Sequence, residues 1–208
     1  MKPVSFVFIS LAAIACVGAV AQQAVVAKAS VGEASPAWSL PDSKGKTQAL
    51  EDYKGKYVVL EWTNKDCPFV KKHYGSGNMQ ATQEKAKEMG AVWLTVISSA
   101  PGSQGYLSAD GINSYRDQMK VKSAATLVDA DGKVGHLYDA KTTPQIVIIN
   151  PYGKVIYNGA IDDKATPDPS DIAGAKNYAI SALTEAMAGK TVSVPTSRPY
   201  GCSVKYAN

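Results

Sequence analysis

Cys67 is the residue whose type and position point most directly to chemistry. Asn64-Lys65-Asp66 precede it and Pro68 follows it. Proline is well suited to a first helical position, so the cysteine stands where a strand gives way to a helix. Unpaired backbone N–H groups and the positive end of the helix dipole favour a thiolate at that place. Lys71 lies one helical turn on and can share the face of Cys67. Lys65 lies in the preceding loop. All three effects pull a cysteine pKa below its free value of about 8.5. The thiolate is the nucleophile in disulfide exchange and in attack on peroxide. The competing reading of Cys67 is a small buried hydrophobe.

Other residues stand close to this chemistry. Thr143-Pro144 precedes the apolar run Gln145–Ile149. Proline is accepted at the first residue of a strand, and a cis peptide there would turn a backbone edge toward a neighbouring thiol. Glu61 interrupts an otherwise apolar strand. It reads either as a proton relay for Cys67 or as a strand-end carboxylate paired with a lysine. His73 falls off the helical face of Cys67. With His136 it gives only two histidines, and no ligand spacing marks a metal site, so no metal or cofactor is expected. Asp129-Ala130-Asp131-Gly132 lacks a downstream acidic ligand and reads as a hairpin turn rather than a calcium loop. Asp162-Asp163 with Asp168 and Asp171 reads as a solvated loop and a helix cap.

The elements that must position these residues are legible as runs. Tyr57–Thr63 is β-branched and aromatic, nearly apolar throughout, and so reads as a central strand covered on both faces. Helices are expected over 68–74 and 78–89, the second ended by Gly90. Strand 91–97, helix 109–119 and strand 126–129 follow, then a helical turn at 134–138. Strand 145–149 and strand 154–159 flank the turn Asn150-Pro151-Tyr152-Gly153. A last helix is expected over 171–188. Strands alternating with helices, then a hairpin and a final helix, predict an α/β protein with a mixed sheet and helices on both faces.

The 208 residues carry a net charge of +4, with 45% hydrophobic and 19% charged residues. This is material for one domain with a substantial core. Basic residues are scattered, which argues against nucleic-acid binding. Lys2, the apolar stretch Val4 to Val20 and Ala19-Val20-Ala21 have the layout of a secretory signal peptide over 1–21. A retained anchor and a lipoprotein cut at Cys16 are the alternatives. Residues 22–35 read as a flexible tether, 36–190 as the domain and 191–208 as a tail. Cleavage after Ala21 leaves Cys67 and Cys202 in a periplasmic or secreted, oxidising compartment, where a pair of cysteines can join. After cleavage no membrane contact is expected.

Glu61-Trp62-Thr63-Asn64, Cys67–Tyr74, Gly77–Gln80, Lys141–Pro144, Gly159–Asp163 and Gly201–Tyr206 together resemble the peroxiredoxin-like branch of the thioredoxin-like superfamily, the redoxin or alkyl hydroperoxide reductase–thiol-specific antioxidant type. The resemblance runs from Gly32 to Tyr206. It implies a thioredoxin fold, with Cys67 at the redox position and Pro144 as a cis-proline opposite it. It further implies a thiol-dependent oxidoreductase acting on protein thiols and disulfides or on small peroxides. Thr63, Asn64, Lys71, Thr143 and Pro144 would shape the site. Three departures stand out. Val70 occupies the place of the second cysteine of a Cys-x-x-Cys pair. Leu60 and Asn64 replace the proline and the hydroxyl residue of the peroxidase motif, although Asn64 could donate a hydrogen bond in the hydroxyl's place. The arginines, Arg116 and Arg198, are not in an obvious catalytic strand. Cys202 therefore becomes pivotal. It resolves oxidised Cys67, or a Cys67–Cys202 disulfide is a permanent staple of a redox-inactive binding module, or both thiols are free and unrelated.

Overall fold

The computed structural model describes Met1 and residues 28–207. The expected signal peptide and residues 22–27 lie outside the described residues. Two short antiparallel strands, β1 (Ser39–Pro41) and β2 (Thr47–Ala49), open the fold and lead into a single 3-10 turn over Leu50–Tyr53. β3 (Val58–Trp62) follows, and all five of its residues are buried. α1 (Pro68–Gly75) and α2 (Asn78–Glu88) return the chain to β4 (Val92–Ile97). α3 (Ala109–Gln118) leads to β5 (Ala125–Val128), and α4 (Lys133–Leu137) to the two-residue strand β6 (Thr142–Thr143). β7 (Gln145–Ile149) and β8 (Val155–Gly159) form a hairpin. α5 (Tyr178–Met187) and β9 (Cys202–Ser203) complete the order.

The central sheet has five strands in the order β5-β4-β3-β7-β8. β3 runs parallel to β4 and antiparallel to β7, so the strand ending just before Cys67 is the middle one. Successive strand residues point to opposite faces, and the two core clusters follow that alternation. Val59, Trp93, Ile146 and Ile148 pack with Val70, Met79, Ala86 and Leu183 from α1, α2 and α5 on one face. Val58, Leu60, Trp62, Leu94 and Val96 pack with Trp38, Leu40, Val134 and Tyr138 on the other. Helices lie on both faces, as expected, but unequally. The second face is closed by the short α4, the β1–β2 hairpin and the N-terminal segment.

Two expectations are corrected. The final helix does not begin at Asp171. Pro169–Gly174 is a 3-10 helix, Ala175 is extended, and α5 starts after Asn177, whose side chain accepts from the Ile180 N–H at 3.0 Å. Asn177 is the stronger start signal because its amide oxygen satisfies an orphan donor of the first turn. The described part of the expected tether is tied down instead of free. Ala29 N–H donates to Leu137 O, Gly32 N–H to Val155 O and Ser35 N–H to Gly153 O, each at 2.8 Å. Val155 N–H also donates to Glu33 O at 3.0 Å, so the start of the edge strand β8 is covered, while the other two bonds hold the end of α4 and the turn before β8.

The tail folds back over the domain. Thr196 bridges Asn158 on β8, and β9 pairs antiparallel with β6, setting Thr143 opposite Cys202. This places the second cysteine at the mouth of the first.

Candidate active site

Cys67 is the N-cap of α1, with extended backbone (φ −70°, ψ 124°), and its carbonyl accepts from the Lys71 N–H at 2.9 Å. A local turn sets it there. Asn64 Oδ1 accepts from the Asp66 N–H at 2.9 Å, and Asn64 O accepts from the Cys67 N–H at 3.0 Å. The sulfur is fully buried. It lies 3.1 Å from Thr143 O, to which the thiol donates, and 3.4 Å from the Cys202 N–H, which donates to it. The Thr143–Pro144 bond is cis. Both cysteines are free thiols.

Burial by itself pushes the Cys67 thiol up. Hydrogen bonds from the Cys202 thiol, the Val70 and Cys202 N–H groups and the Thr143 hydroxyl outweigh it and hold Cys67 below its ordinary value. Cys202 moves the other way, to about 11, because of burial, its hydrogen bond to Cys67 and the charge it faces there. The two shifts run in opposite directions, so Cys67 is the readier of the pair to ionise. The close approach depends on Gly201, whose φ is +129° and where a Cβ would lie 2.0 Å from Thr143 O. Only glycine accepts both that conformation and that contact.

The structure brings Cys67, Cys202, Thr143 and Pro144 together and leaves Lys71, Lys65, Asn64 and Thr63 elsewhere. Lys71 is exposed, and its charge acts on Asp66 rather than on the thiol. Lys65 likewise pairs with Asp66, at 2.8 Å. A solvated ammonium keeps its hydration on the outer side of the helix, so the neighbouring residue Lys72 is the buried one. Asn64 does not replace the missing hydroxyl. Its amide nitrogen donates to Gln104 O at 3.2 Å, so it shapes the turn and not the sulfur's surroundings. Thr63 lines a small closed cavity with Thr95, Tyr115 and Arg116, and its buried hydroxyl has no protein partner there.

Glu61 is no strand-end carboxylate paired with a lysine. It is fully buried and accepts from Tyr74 Oη at 2.9 Å, Gln83 Nε2 at 3.0 Å and Trp93 Nε1 at 2.8 Å. Burial pushes its carboxyl up to about 7, against the opposing pull of those three donors. Asp129 is not a hairpin residue. It is buried, and its carboxylate accepts from the Val134 and Gly135 N–H groups at 3.1 and 2.8 Å, holding the start of α4. Among the described residues no group of His, Cys, Asp or Glu converges to hold a metal ion.

A second cluster has no counterpart in the sequence reading. His73 and Asp162 are buried, the latter contrary to the expected solvated loop. Asn78 Nδ2 donates to His73 Nδ1 at 2.8 Å, which leaves the ring proton on Nε2, 3.2 Å from Tyr200 Oη. Tyr200 in turn donates to Asp162 Oδ1. Lys72 Nζ donates to Lys164 O at 2.8 Å and lies 5.8 Å from the Tyr200 ring, which also packs on Phe69. Asn78 is five residues from His73, but Asp162, Lys164 and Tyr200 come from about 90 to 130 positions along the chain.

Burial, with the Lys72 charge, pushes His73 down to about 4 against the pull of Asp162. The unfolded chain binds a proton near 6.5 that the native state refuses until about 4, so stability falls as pH drops through that window. The unfolding free energy of the protein minus that of His73→Gln should decrease by on the order of 3 kcal/mol between those limits. Urea titrations at several pH values measure it, and a constant difference would rule out a neutral buried imidazole.

Over 127 residues the chain is 30% identical to the thiol-disulfide oxidoreductase ResA of Bacillus subtilis, covering 61% of this chain and 65% of that relative's length. Among solved structures, an uncharacterized conserved protein from Geobacillus kaustophilus superposes with a TM-score of 0.71 at 22% identity, over 86% of this chain and 93% of that one. A putative protein disulfide isomerase from Bacteroides thetaiotaomicron superposes with a TM-score of 0.55 at 15% identity, over 77% and 94%. These structural likenesses show the fold. Residues 31–158 match the AhpC/TSA family, and with a central mixed sheet flanked by helices the chain belongs to that family within the thioredoxin-like superfamily.

Proposed function

We propose that the protein is an exported thiol–disulfide oxidoreductase in which Cys67 attacks and Cys202 resolves. The observation that carries the reading is the Cys202 N–H resting on the Cys67 sulfur, with the lowered thiol buried and the raised thiol delivered by the tail. In the oxidising direction for this protein, the Cys67 thiolate attacks a partner's disulfide. A mixed disulfide forms and one partner sulfur leaves as a thiolate. Cys202 then loses its proton and attacks Cys67, so the second partner thiol leaves. The partner gains two electrons, and a Cys67–Cys202 disulfide remains. Each step reverses when the partner is a dithiol.

Protein thiols and disulfides are favoured over peroxides as substrates. Peroxide attack needs donors that stabilise the departing oxygen, and Asn64 and Arg116 both direct their donors elsewhere. Arg116 donates to Ser123 and Thr126. Glu61, tied to α1 through Tyr74, is the proposed proton relay, since a carboxyl near 7 exchanges protons at neutral pH. The N-terminal 21 residues are the proposed export signal, residues 36–190 the domain and 191–208 a tail that works on it. Similarity to an oxidoreductase and the contact between the two thiols support this reading.

Thiol trapping with intact mass, titrated in a graded redox buffer, tests it. A Cys67–Cys202 disulfide with a midpoint between about −270 and −120 mV is expected for a cycling pair. A bond that resists reduction below about −300 mV would make it a structural staple and the protein a binding module.

A further inference from the structure

The segment from Pro195 to Tyr206 crosses the reactive thiol and is fastened on both sides of it. Upstream, the Asn158 N–H donates to Pro195 O at 3.1 Å, and Ser197 Oγ lies where a Cβ on Gly159 would meet it at 2.3 Å. At the thiol lies the two-residue ladder of β9 on β6, and just before it Tyr200 packs on Phe69 and donates to Asp162. Downstream, Tyr206 is held in a slot on α4. Its ring stacks on His136 with centroids 4.0 Å apart, and its hydroxyl donates to Ala140 O at 2.7 Å. The slot exists because two of its walls have no side chain: a Cβ on Gly132 or Gly135 would come within 2.5 or 2.4 Å of Tyr206.

Full burial of Cys67 conflicts with any reaction on a second protein, because an attacking thiolate needs an open line to the sulfur it strikes. The main-chain groups of Thr142 and Thr143 beside it are already used by Cys202 and Ser203. The covering piece is itself weakly held between its fastenings. Its ladder is two residues long, Ser203 is exposed, and Cys202, Val204 and Lys205 are only half-buried. Short pieces with few buried contacts open at far lower cost than the whole fold. Past the ladder the Val204 N–H donates to Lys141 O at 3.0 Å and Lys205 O accepts from the Ala100 N–H at 2.8 Å, and Tyr206 then supplies the side chain that anchors this end in the α4 slot.

We propose that Pro195–Tyr206 is a gate over Cys67 and that Tyr206 is its latch, a positioning residue that holds Cys202 on Cys67 and excludes other thiols until it lets go. The proposal builds on the reading of Cys67 as a reactive thiol. It adds that access to that thiol is set from the α4 slot. Latch release has two opposite consequences. Cys67 becomes open to reagents and partners, while the local concentration of Cys202 at Cys67 falls.

Two readouts separate this from simple damage and from failure of the oxidoreductase reading. The first is the rate of Cys67 alkylation by N-ethylmaleimide, followed by intact mass in a Cys202→Ser background, so that it needs no disulfide. Tyr206→Ala should raise that rate about tenfold or more, with native near-ultraviolet dichroism. Tyr206→Phe, which keeps the ring and loses the hydroxyl, should fall between. The second is the ratio of Cys67–Cys202 disulfide to dithiol at fixed glutathione with Cys202 restored. Tyr206→Ala should lower it about tenfold and Tyr206→Phe should largely rescue it. Should Tyr206→Ala fail to fold, Gly201→Ala carries the test, since its methyl group forces the tail off Thr143 O directly. Alkylation at the parent rate in a natively folded Tyr206→Ala or Gly201→Ala would overturn the gate. Absence of any Cys67–Cys202 disulfide in the unmutated protein would instead remove the resolving role and leave the alkylation result to stand for itself.

Discussion

Replacing Cys67 with serine should abolish disulfide exchange, with a loss on the order of a thousandfold or more, because a serine hydroxyl is not ionised at neutral pH and forms no disulfide. Cys202→Ser should behave differently. Cys67 keeps its place at the start of α1 and its contact with Thr143 O, so the first attack survives and the resolving step does not. Mixed disulfides with partner proteins should accumulate on Cys67 in this variant and be absent from Cys67→Ser. In Cys202→Ala, which removes the side-chain donor that serine would keep, the Cys67 thiol should have a higher pKa than in the parent, since one of the hydrogen bonds that hold Cys67 down comes from the Cys202 side chain. Alkylation rate against pH reads that shift, and insulin reduction or refolding of a scrambled disulfide protein reads turnover. Equal loss of activity in both variants with no trapped species would sink the two-step scheme.

The second large effect concerns Glu61. Glu61→Ala strips three buried donors, Tyr74 Oη, Gln83 Nε2 and Trp93 Nε1, of their shared acceptor. It also leaves a cavity beside the middle strand. The expected cost is about 3–5 kcal/mol, at the upper end for a single substitution. Glu61→Gln keeps the shape and isolates the charge. The native carboxyl titrates near 7 and the unfolded one near the ordinary 4.5, so the native state holds the extra proton between them. The contribution of Glu61 is therefore full below the lower value and is lost as pH rises through the upper one. Relative to Glu61→Gln, the protein should lose on the order of 3 kcal/mol of stability across that window. The sign is opposite to that of His73, so the two nearly cancel between about pH 4.5 and 6.5, and the unmutated protein should look flat there. Urea midpoints of both single variants reveal the hidden slopes. If Glu61 also relays the proton, Glu61→Gln should flatten the pH dependence of exchange near 7; an unchanged profile would confine Glu61 to a structural role.

Strands and helix starts were legible because their signals are local. Val58–Trp62 and Gln145–Ile149 are apolar on both faces of the pleat except at Glu61 and Gln145, as strands covered on both faces need be. Pro68 marks the first turn of α1 by its fixed φ and missing N–H, and that alone placed Cys67 at a helix start. The end of the chain was harder to read. Asp171 and Asn177 both look like caps, and which one starts α5 depends on where Asp162 bridges Asn177.

The sequence by itself determined the alternation of elements, the mixed sheet and the one cysteine with a helix beneath it, since backbone preference and hydrophobic period act between near neighbours. Tertiary structure alone decided which polar groups are buried and what they meet. Lys71 and Lys72 are adjacent and chemically identical, yet one is solvated and the other lies under Tyr200, more than a hundred residues away. Glu61 finds donors on α1, α2 and β4, Asp162 is drawn inside to Tyr200, and Cys202 reaches Cys67 across 135 positions by way of a glycine that no other residue could replace. The cost of burying a polar atom depends on partners that only the folded chain brings within hydrogen-bond distance, and no local pattern carries that information.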